Sequence, residues 1–191
     1  MAQITQGVRF VYAGSGSSAP QPTQFNSFNK RANAPQFSAT STYNVGDVVQ
    51  YSSNAYRCKN AITTAGAWNS SDWDYISADN LCIKDFPDMD NPEKDQIEVT
   101  TLCDDIHKYI DGLDNLPEEL SFTCNYDPDF WYLLNLPRYR DTEYWWGIKI
   151  GDSGRVWYWK GTLRPVLVGA GVGDVLEMRI VCKPKRLIET A

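Results

Sequence analysis

The chain has 191 residues, of which 42% are hydrophobic and 13% aromatic, so it is long enough to bury a core and its composition excludes a disordered protein. Its net charge is −6 and its one conspicuous basic cluster is Lys183–Arg186, which argues against binding of nucleic acid irrespective of sequence. The five cysteines are odd in number, widely spaced and without a Cys-x-x-Cys pair, which argues against a disulfide framework and against a zinc site.

The chain begins with a predicted strand followed by a predicted linker. In the strand, TQGVRFVYAG, the apolar residues Val8, Phe10 and Tyr12 recur at every second position, which is the period of a half-buried strand. The next stretch, SGSSAPQPTQFNSFNKRANAP, is rich in Ser, Pro and Asn and has no periodicity. We therefore predict that residues 21–35 are a linker.

Residues 36–79 are predicted to form a small all-β module. Two short strands, Asp47–Tyr51 and Ala55–Lys59, are joined by SSN and flanked by many aromatic residues. A domain of this size needs large aromatic side chains to bury enough area, so most of these rings are expected to form its core. The next segment, LCIKDFPDM, returns to a strand pattern.

The module resembles the small chitin-binding modules attached to polysaccharide-degrading enzymes. Those modules carry an aromatic residue, then Y-x-x-GD-x-V-x-Y, a further Tyr and a closing Trp. The corresponding residues here are Phe37, Tyr43, Gly46, Asp47, Val49, Tyr51, Tyr56 and Trp73. The chain departs from the family just after the second Tyr, where Asn60 and Ala61 stand in place of the exposed aromatics that form a sugar platform. The resemblance implies a candidate glycan platform of Tyr56, Trp68 and Trp73, with Trp68 as the replacement ring.

A long polar segment separates two predicted strands, Ile97–Thr101 and Leu120–Tyr126, both of which alternate between apolar and polar residues. The roughly 18 residues between them exceed an ordinary hairpin loop, and loops of that length are usually functional or disordered. This one keeps apolar residues along its length, which predicts an ordered arm. They are Ile106, Tyr109, Ile110, Leu113 and Leu116.

The C-terminal part is predicted to hold one helix and two strand pairs. In DPDFWYLLNL, Asp127 is a suitable N-cap, Pro128 fits the first helical position and Pro137 ends the helix. EYWWGIKI and RVWYWKG form a predicted hairpin around GDSG, and TLRPVLVG and DVLEMRIVCK form a second pair. Apolar residues on both faces of the hairpin favour oligomerisation, because monomers rarely expose large apolar patches.

No catalytic, metal or nucleotide site is predicted. His107 is the sole histidine, and neither a glycine elbow nor a second histidine supports it. GAGVGD lacks the GxGxxG spacing and joins two strands, so it is a glycine-rich turn. One acidic group lacks the ligand spacing and glycine of a calcium loop; it consists of Asp85, Asp88, Asp90, Glu93 and Asp95. We therefore expect a protein that is not an enzyme and that uses no cofactor.

The segments EVTTL, YI-x-GL and a strand ending in NYD, preceded by FPDMDNPEKDQ, resemble the tail tube proteins of long-tailed bacteriophages. That family passes by a short turn from its first strand into a strand like LCIKDFPDM. The module at 36–79 is therefore predicted to be inserted into a discontinuous host domain, residues 1–20 and 80–191. The resemblance implies a mainly β (α+β) fold, with an antiparallel β-sandwich or barrel-like tail tube domain, one short α-helix and the small all-β module.

What this resemblance implies about function is structural. Six subunits would close into a ring, and the rings would stack into a tube through which genomic DNA passes without specific binding. Other tail proteins would contact the tube ends, and the module would face outwards towards a host-surface glycan. The arm would contact the adjacent ring through Thr100, Thr101, Leu102, Ile106, Tyr109, Ile110 and Leu113.

The expected location is the phage tail, assembled in the cytoplasm of a bacterial host. The N-terminal MAQITQGVRF has no apolar signal core, and no apolar run approaches the ~18 residues of a membrane span, so no membrane partner is expected. One other function stays open, a secreted or surface carbohydrate-binding protein that acts through the chitin-binding-like module. A hydrolase with a chitin-binding appendage is not expected, because catalytic residues are lacking.

Overall fold

The computed structural model describes residues 7–89, 94–101, 106–114, 117–151, 155–169, 171, 173–185 and 189–190, and the fold is mainly β, as predicted. The strands are β1 (Val8–Ala13), β2 (Asn26–Ser27), β3 (Val48–Tyr51), β4 (Asn54–Cys58), β5 (Trp73–Ile76), β6 (Cys82–Ile83), β7 (Lys94–Glu98), β8 (Tyr109–Asp114), β9 (Leu120–Asn125), β10 (Tyr144–Ile150), β11 (Val156–Val168), β12 (Glu177–Pro184) and β13 (Glu189–Thr190).

The helices of the described residues are short. They are α1 (Lys30–Asn33), α2 (Pro128–Leu134) and α3 (Pro137–Arg140), together with single 3-10 turns at Pro22–Gln24 and Ser70–Asp72. None of these helices is long and apolar enough to cross a membrane.

The largest sheet has the strand order β2-β1-β10-β11-β12-β9, with β6 also paired to β1 and β13 to β11. The predicted hairpin is confirmed, since β10 and β11 pair from Tyr144↔Gly161 to Lys149↔Val156. β11 is 13 residues long, and its second part, from Gly161 to Val168, pairs with β12. Two predicted strands therefore form one long strand. The pairing partner changes at Gly161, where an added Cβ would lie only 2.0 Å from the backbone oxygen of Lys183.

One face of this sheet encloses the main core. Phe10, Trp146 and Trp159 are fully buried, and Phe10 stacks on Trp146 with ring centroids 5.6 Å apart. The indole Nε1 of Trp146 donates a hydrogen bond to the backbone oxygen of Gly161 at 3.0 Å, so its polar atom is satisfied inside the core. Large rings give this core its apolar area, and within the described residues the buried indole Nε1 of Trp159 has no hydrogen-bond partner.

Helix α2 covers this core and begins where the sequence predicts. The carboxylate of Asp127 accepts hydrogen bonds from the backbone N–H groups of Asp129 and Phe130, which are unpaired donors at a helix start. Leu133 and Leu134 are fully buried one turn further on. The cap therefore fixes the position at which the helix lays its apolar side on the sheet.

The strands β3, β4 and β5 form a separate three-stranded sheet, which is the predicted module. The turn between β3 and β4 holds Ser52 and Ser53 at φ of 46° and 65°, the left-handed conformation of a two-residue hairpin turn. Val48, Ala55 and Ile76 on one face of this sheet belong to the main core. The module therefore packs directly against the rest of the protein.

The chain enters and leaves the module at adjacent points. Asn29 and Asn80 form an antiparallel bridge, and Val8 of β1 pairs with Ile83 of β6. This geometry is what an insertion between two neighbouring strands requires. The domain boundaries drawn from the sequence stay a prediction.

The segment predicted as a linker, residues 21–35, contains β2 and α1 and contributes to the core. Phe28 is fully buried, and its ring contacts those of Tyr12, Tyr139 and Trp146 at centroid distances of 5.7, 5.3 and 6.4 Å. A single buried ring among polar residues produces no periodic pattern, which is why the sequence did not reveal this packing.

Candidate functional site

The module sheet carries aromatic side chains on the face that points away from the main core. Residues directly opposite each other on neighbouring strands share a face. Val49 pairs with Tyr56 and Tyr56 with Tyr75, while Tyr51 is two residues from Val49, so these residues share one face. The other face packs on the main core, and part of this face is buried in a small core of the module itself, so only its uncovered rings are open to a ligand.

These side chains form a continuous row of rings across the three strands. Tyr75 and Tyr56 have centroids 6.0 Å apart, and Tyr56 and Trp68 are 4.9 Å apart. Trp68 stacks on Tyr51 at 4.1 Å with planes 7° apart. Tyr75 is 65% exposed, whereas the other three rings are half-buried. The row therefore presents most of its open ring surface at the Tyr75 end.

The three predicted platform residues divide between the row and the layer beneath it. Tyr56 lies in the row. Trp73 is only 4% exposed, so burial leaves it no ring face for a ligand, and the expectation for this residue is corrected. Trp68 stacks on Tyr51 and also on Trp73 at 4.9 Å and 14°, so its indole offers a ligand an edge.

Sequence reasoning missed Tyr75, although a signal was present. Tyr75 follows Trp73 by two residues on β5, so strand alternation places both on one face. Phe37 and Trp68 cover Trp73 at centroid distances of 5.8 and 4.9 Å. Among the described residues only the ring of Tyr56 contacts that of Tyr75, which leaves Tyr75 open to solvent. Only the fold shows where this cover ends.

The Gly-Asp pair of the motif shapes the loop that holds the aromatic cover. Gly46 has φ of 94°, a conformation that side chains with a Cβ rarely adopt. The carboxylate of Asp47 accepts a hydrogen bond from the N–H of Asn44 at 2.7 Å. The hydroxyl of Tyr43 accepts from the N–H of Ser38 at 2.7 Å, which fixes the preceding loop. These bonds hold the ring of Tyr43 against the module core.

Asn60 and Ala61 occupy the positions at which similar modules carry exposed aromatics. The side-chain amide of Asn60 donates to a carboxylate oxygen of Asp72 at 3.1 Å, and Ala61 is exposed. Asn60 therefore ties the strand end to the 3-10 turn instead of supplying a ring. The row ending at Tyr75 is the aromatic surface that the described part of the module offers.

A buried charge cluster fixes the module to α2. Arg57 donates two hydrogen bonds to the carboxylate of Asp129, at 2.6 and 2.7 Å, and Asp129 is 1% exposed. The Nζ of Lys30 lies 2.7 Å from Asp127 and 3.3 Å from Asp129. Burial alone would lower the pKa of Lys30, but its hydrogen bonds and attraction to these two carboxylates outweigh burial and raise it.

The predicted arm contains β8, which pairs with the preceding β7 in a separate two-stranded hairpin where Ile97 lies opposite Ile110. Tyr109, Ile110 and Ile106 are 53%, 52% and 72% exposed. Thr100 is half-buried and Thr101 exposed. Leu102 lies outside the described residues, and Leu113 lies in β8 with its side chain outside them. The hairpin therefore displays apolar side chains to solvent.

The hairpin also holds the sole histidine. His107 contacts the carboxylate of Glu98, whose pKa this hydrogen bond lowers. Both residues are exposed, and among the described residues no three His, Cys, Asp or Glu side chains gather as a metal site. The pair is thus a surface contact.

Comparison with known families finds a match within the module. Residues 36–73 match the model of carbohydrate-binding module family 5/12, which is 38 of the 191 residues. No curated protein matches the chain. The match covers β3, β4 and the three rings that pack on Trp73, which are Phe37, Tyr43 and Trp68. It ends at the first residue of β5, two residues before Tyr75.

Proposed function

We propose that this protein binds a polysaccharide through the aromatic row of its module and catalyses no reaction. The observation that carries this proposal is the row of four rings that ends in the exposed Tyr75. A sugar ring has an apolar C–H face and a polar rim. Aromatic side chains suit such ligands because they offer an apolar face together with a hydroxyl or N–H group.

Two further observations support a binding role. The family match at 36–73 indicates a carbohydrate ligand, and the resemblance to chitin-binding modules favours a polymer of amino sugars. The paired contacts of Arg57 with Asp129 attach the module at one fixed position on α2. A ligand surface on a rigid element loses less entropy on binding than one on a mobile element.

Replacing Tyr75 with alanine should weaken binding of chitin hexamer at least about tenfold, which corresponds to a loss of ~1.4 kcal/mol in binding free energy. The change removes the most exposed ring of the row and leaves the buried Trp73 in place. Isothermal titration calorimetry measures the affinity of each variant. Tyr109→Ala is the matched control, because Tyr109 is similarly exposed, at 53%, on a different sheet. Equal losses in both variants, or no binding by the unaltered protein, would refute the proposal.

A second candidate function is a subunit of a phage tail tube. The hairpin of β7 and β8 supports it, because a two-stranded sheet is marginally stable alone and this one exposes Ile97 and Ile110. In this proposal six copies close into a ring whose sheets complete a barrel. Rings then stack through the arm while DNA passes through the lumen, other tail proteins contact the tube ends, and assembly takes place in a bacterial cytoplasm.

The triple change Ile106→Ser, Tyr109→Ser and Ile110→Ser should abolish the stacking of rings in this second proposal and leave single rings or monomers folded. Each fully buried apolar side chain contributes roughly 1.5–3 kcal/mol, so loss of three from an interface shifts assembly by several powers of ten. Sedimentation velocity over a wide concentration range measures it. The control is Leu167→Ser with Val175→Ser, two residues exposed by 49% and 65% elsewhere. A monomer at every concentration before any change would exclude the tube.

A further inference from the structure

The face of the large sheet opposite the main core is basic. Residues paired across neighbouring strands share a face, and every second residue along a strand returns to it. On the five long strands, β1, β9, β10, β11 and β12, together with the residue that follows β12, this register places seven Lys or Arg side chains on the face. They are Arg9, Lys149, Lys160, Arg164, Arg179, Lys183 and Lys185. The chain as a whole has a net charge of −6. The register places two acidic residues on the same face: Glu177, which pairs with Lys84, and Glu189 of β13, which lies opposite Tyr158. Lys185 also pairs with Glu143, at 3.4 Å.

Three of these residues form what we term the cationic strip: Arg164, Arg179 and Lys183. Arg164 on β11 lies opposite Val181 on β12, so Arg179 and Lys183 are its diagonal neighbours. All three are exposed, and within the described part of the chain no acidic side chain forms a salt bridge with them. Like charges at neighbouring positions of a sheet repel each other, and a bound anion would relieve that repulsion.

A groove adjoins the strip. Its volume is about 500 Å³, within the range of small-molecule sites, and it is lined by Arg140, Thr162, Arg164, Lys183 and Val181 among others. Arg140 also pairs with Asp141 at 3.0 Å, so one acidic side chain lies at its rim. An arginine fork can donate to both oxygens of a carboxylate or phosphate, and the threonine hydroxyl can donate to a third.

We propose that the cationic strip and its groove bind the carboxylate or phosphate groups of an acidic polysaccharide. The choice of polymer rests on the proposed function, in which the module binds sugar rings of the same class of ligand. Single-stranded nucleic acid usually needs exposed aromatic side chains for base stacking, whereas Trp145 and Tyr158 on this face are buried.

The test compares two double variants of the full chain. Arg164→Gln with Lys183→Gln removes two charges of the strip. Arg31→Gln with Arg155→Gln removes two exposed charges elsewhere and is the matched control. Calorimetric titration at 50 and 200 mM salt uses four probes: polygalacturonate for carboxylate, poly(glycerol phosphate) for phosphate, neutral chitin hexamer, and a 20-base-pair DNA duplex.

We expect at least one acidic polymer to bind, with affinity that falls as salt rises, and the strip variant to bind it about tenfold more weakly. The control should stay within about twofold of the unaltered protein, and thermal melts should show that both variants are folded. Binding of polygalacturonate alone would identify carboxylate as the recognised group, and binding of poly(glycerol phosphate) alone would identify phosphate. The inference is overturned if neither acidic polymer binds at 50 mM salt, if the control loses as much affinity, or if duplex DNA binds as tightly.

The Tyr75→Ala variant separates this inference from the proposed function. It should lose affinity for chitin hexamer and keep that for the acidic polymer. If that variant still binds chitin hexamer, the aromatic row is refuted and the cationic strip is not. If the strip variant binds the acidic polymer with unchanged affinity, the cationic strip is refuted and the aromatic row is not.

Discussion

Replacing Phe28 with alanine should lower the free energy of unfolding by about 3–5 kcal/mol, the usual cost of deleting a large ring from a packed core. Phe28 is fully buried and its ring also lies 6.4 Å from that of Phe130 on α2. The side chain thus joins β1, α2 and α3 through a segment whose sequence reads as a linker. Denaturant unfolding, followed by tryptophan fluorescence, measures the change.

The matched control is Phe86→Ala, since the ring of Phe86 is 37% exposed and its loss should change stability far less. Equal stability of the Phe28 variant and the unaltered protein would mean that residues 21–35 are a linker after all. A large loss of stability would instead show that residues 21–35 form part of the core of the host domain.

Replacing Asp129 with alanine should cost about 3–5 kcal/mol, because it leaves Lys30 buried without one of its two carboxylate partners and breaks both bonds from Arg57. Lys30 is 6% exposed, so water cannot replace the lost partner. Asp129→Asn keeps the shape and removes the charge, and it separates electrostatics from packing. Asp74→Ala, which breaks the exposed pair with Lys59, is the control.

The pH dependence of the unfolding free energy gives a second readout for the same cluster. The pKa of Lys30 is raised in the folded protein, so its contribution is complete below the unfolded pKa of ~10.4 and is lost as pH rises through the folded value. Asp129→Ala should reduce this loss of stability at alkaline pH. An alkaline slope identical in both proteins would show that Lys30 does not depend on Asp129.

Local patterns in the sequence determined several elements of this protein, whereas β2 and α1 lie in the segment predicted to be a linker. Alternating apolar residues predicted β1, β9 and the hairpin of β10 with β11, and each is present. The order Asp127, Pro128 predicted the start of α2, because an N-cap carboxylate and a fixed φ act within one turn. The aromatic residues and the Gly46–Asp47 motif predicted the module, whose strands β3 and β4 lie within a residue of their expected bounds. Each of these features depends on residues close together in the chain.

Tertiary structure decided which of these surfaces are covered. Trp73 and Tyr75 lie two residues apart on β5 and point to the same face. Trp73 is nevertheless buried beneath Trp68, whereas Tyr75 is 65% exposed. The sequence showed no basic cluster beyond residues 183–186, because Arg164 and Lys183 become neighbours only when β11 and β12 pair. Periodicity sets the direction of a side chain from its own backbone, whereas burial and charge density depend on strands and loops that are distant in sequence.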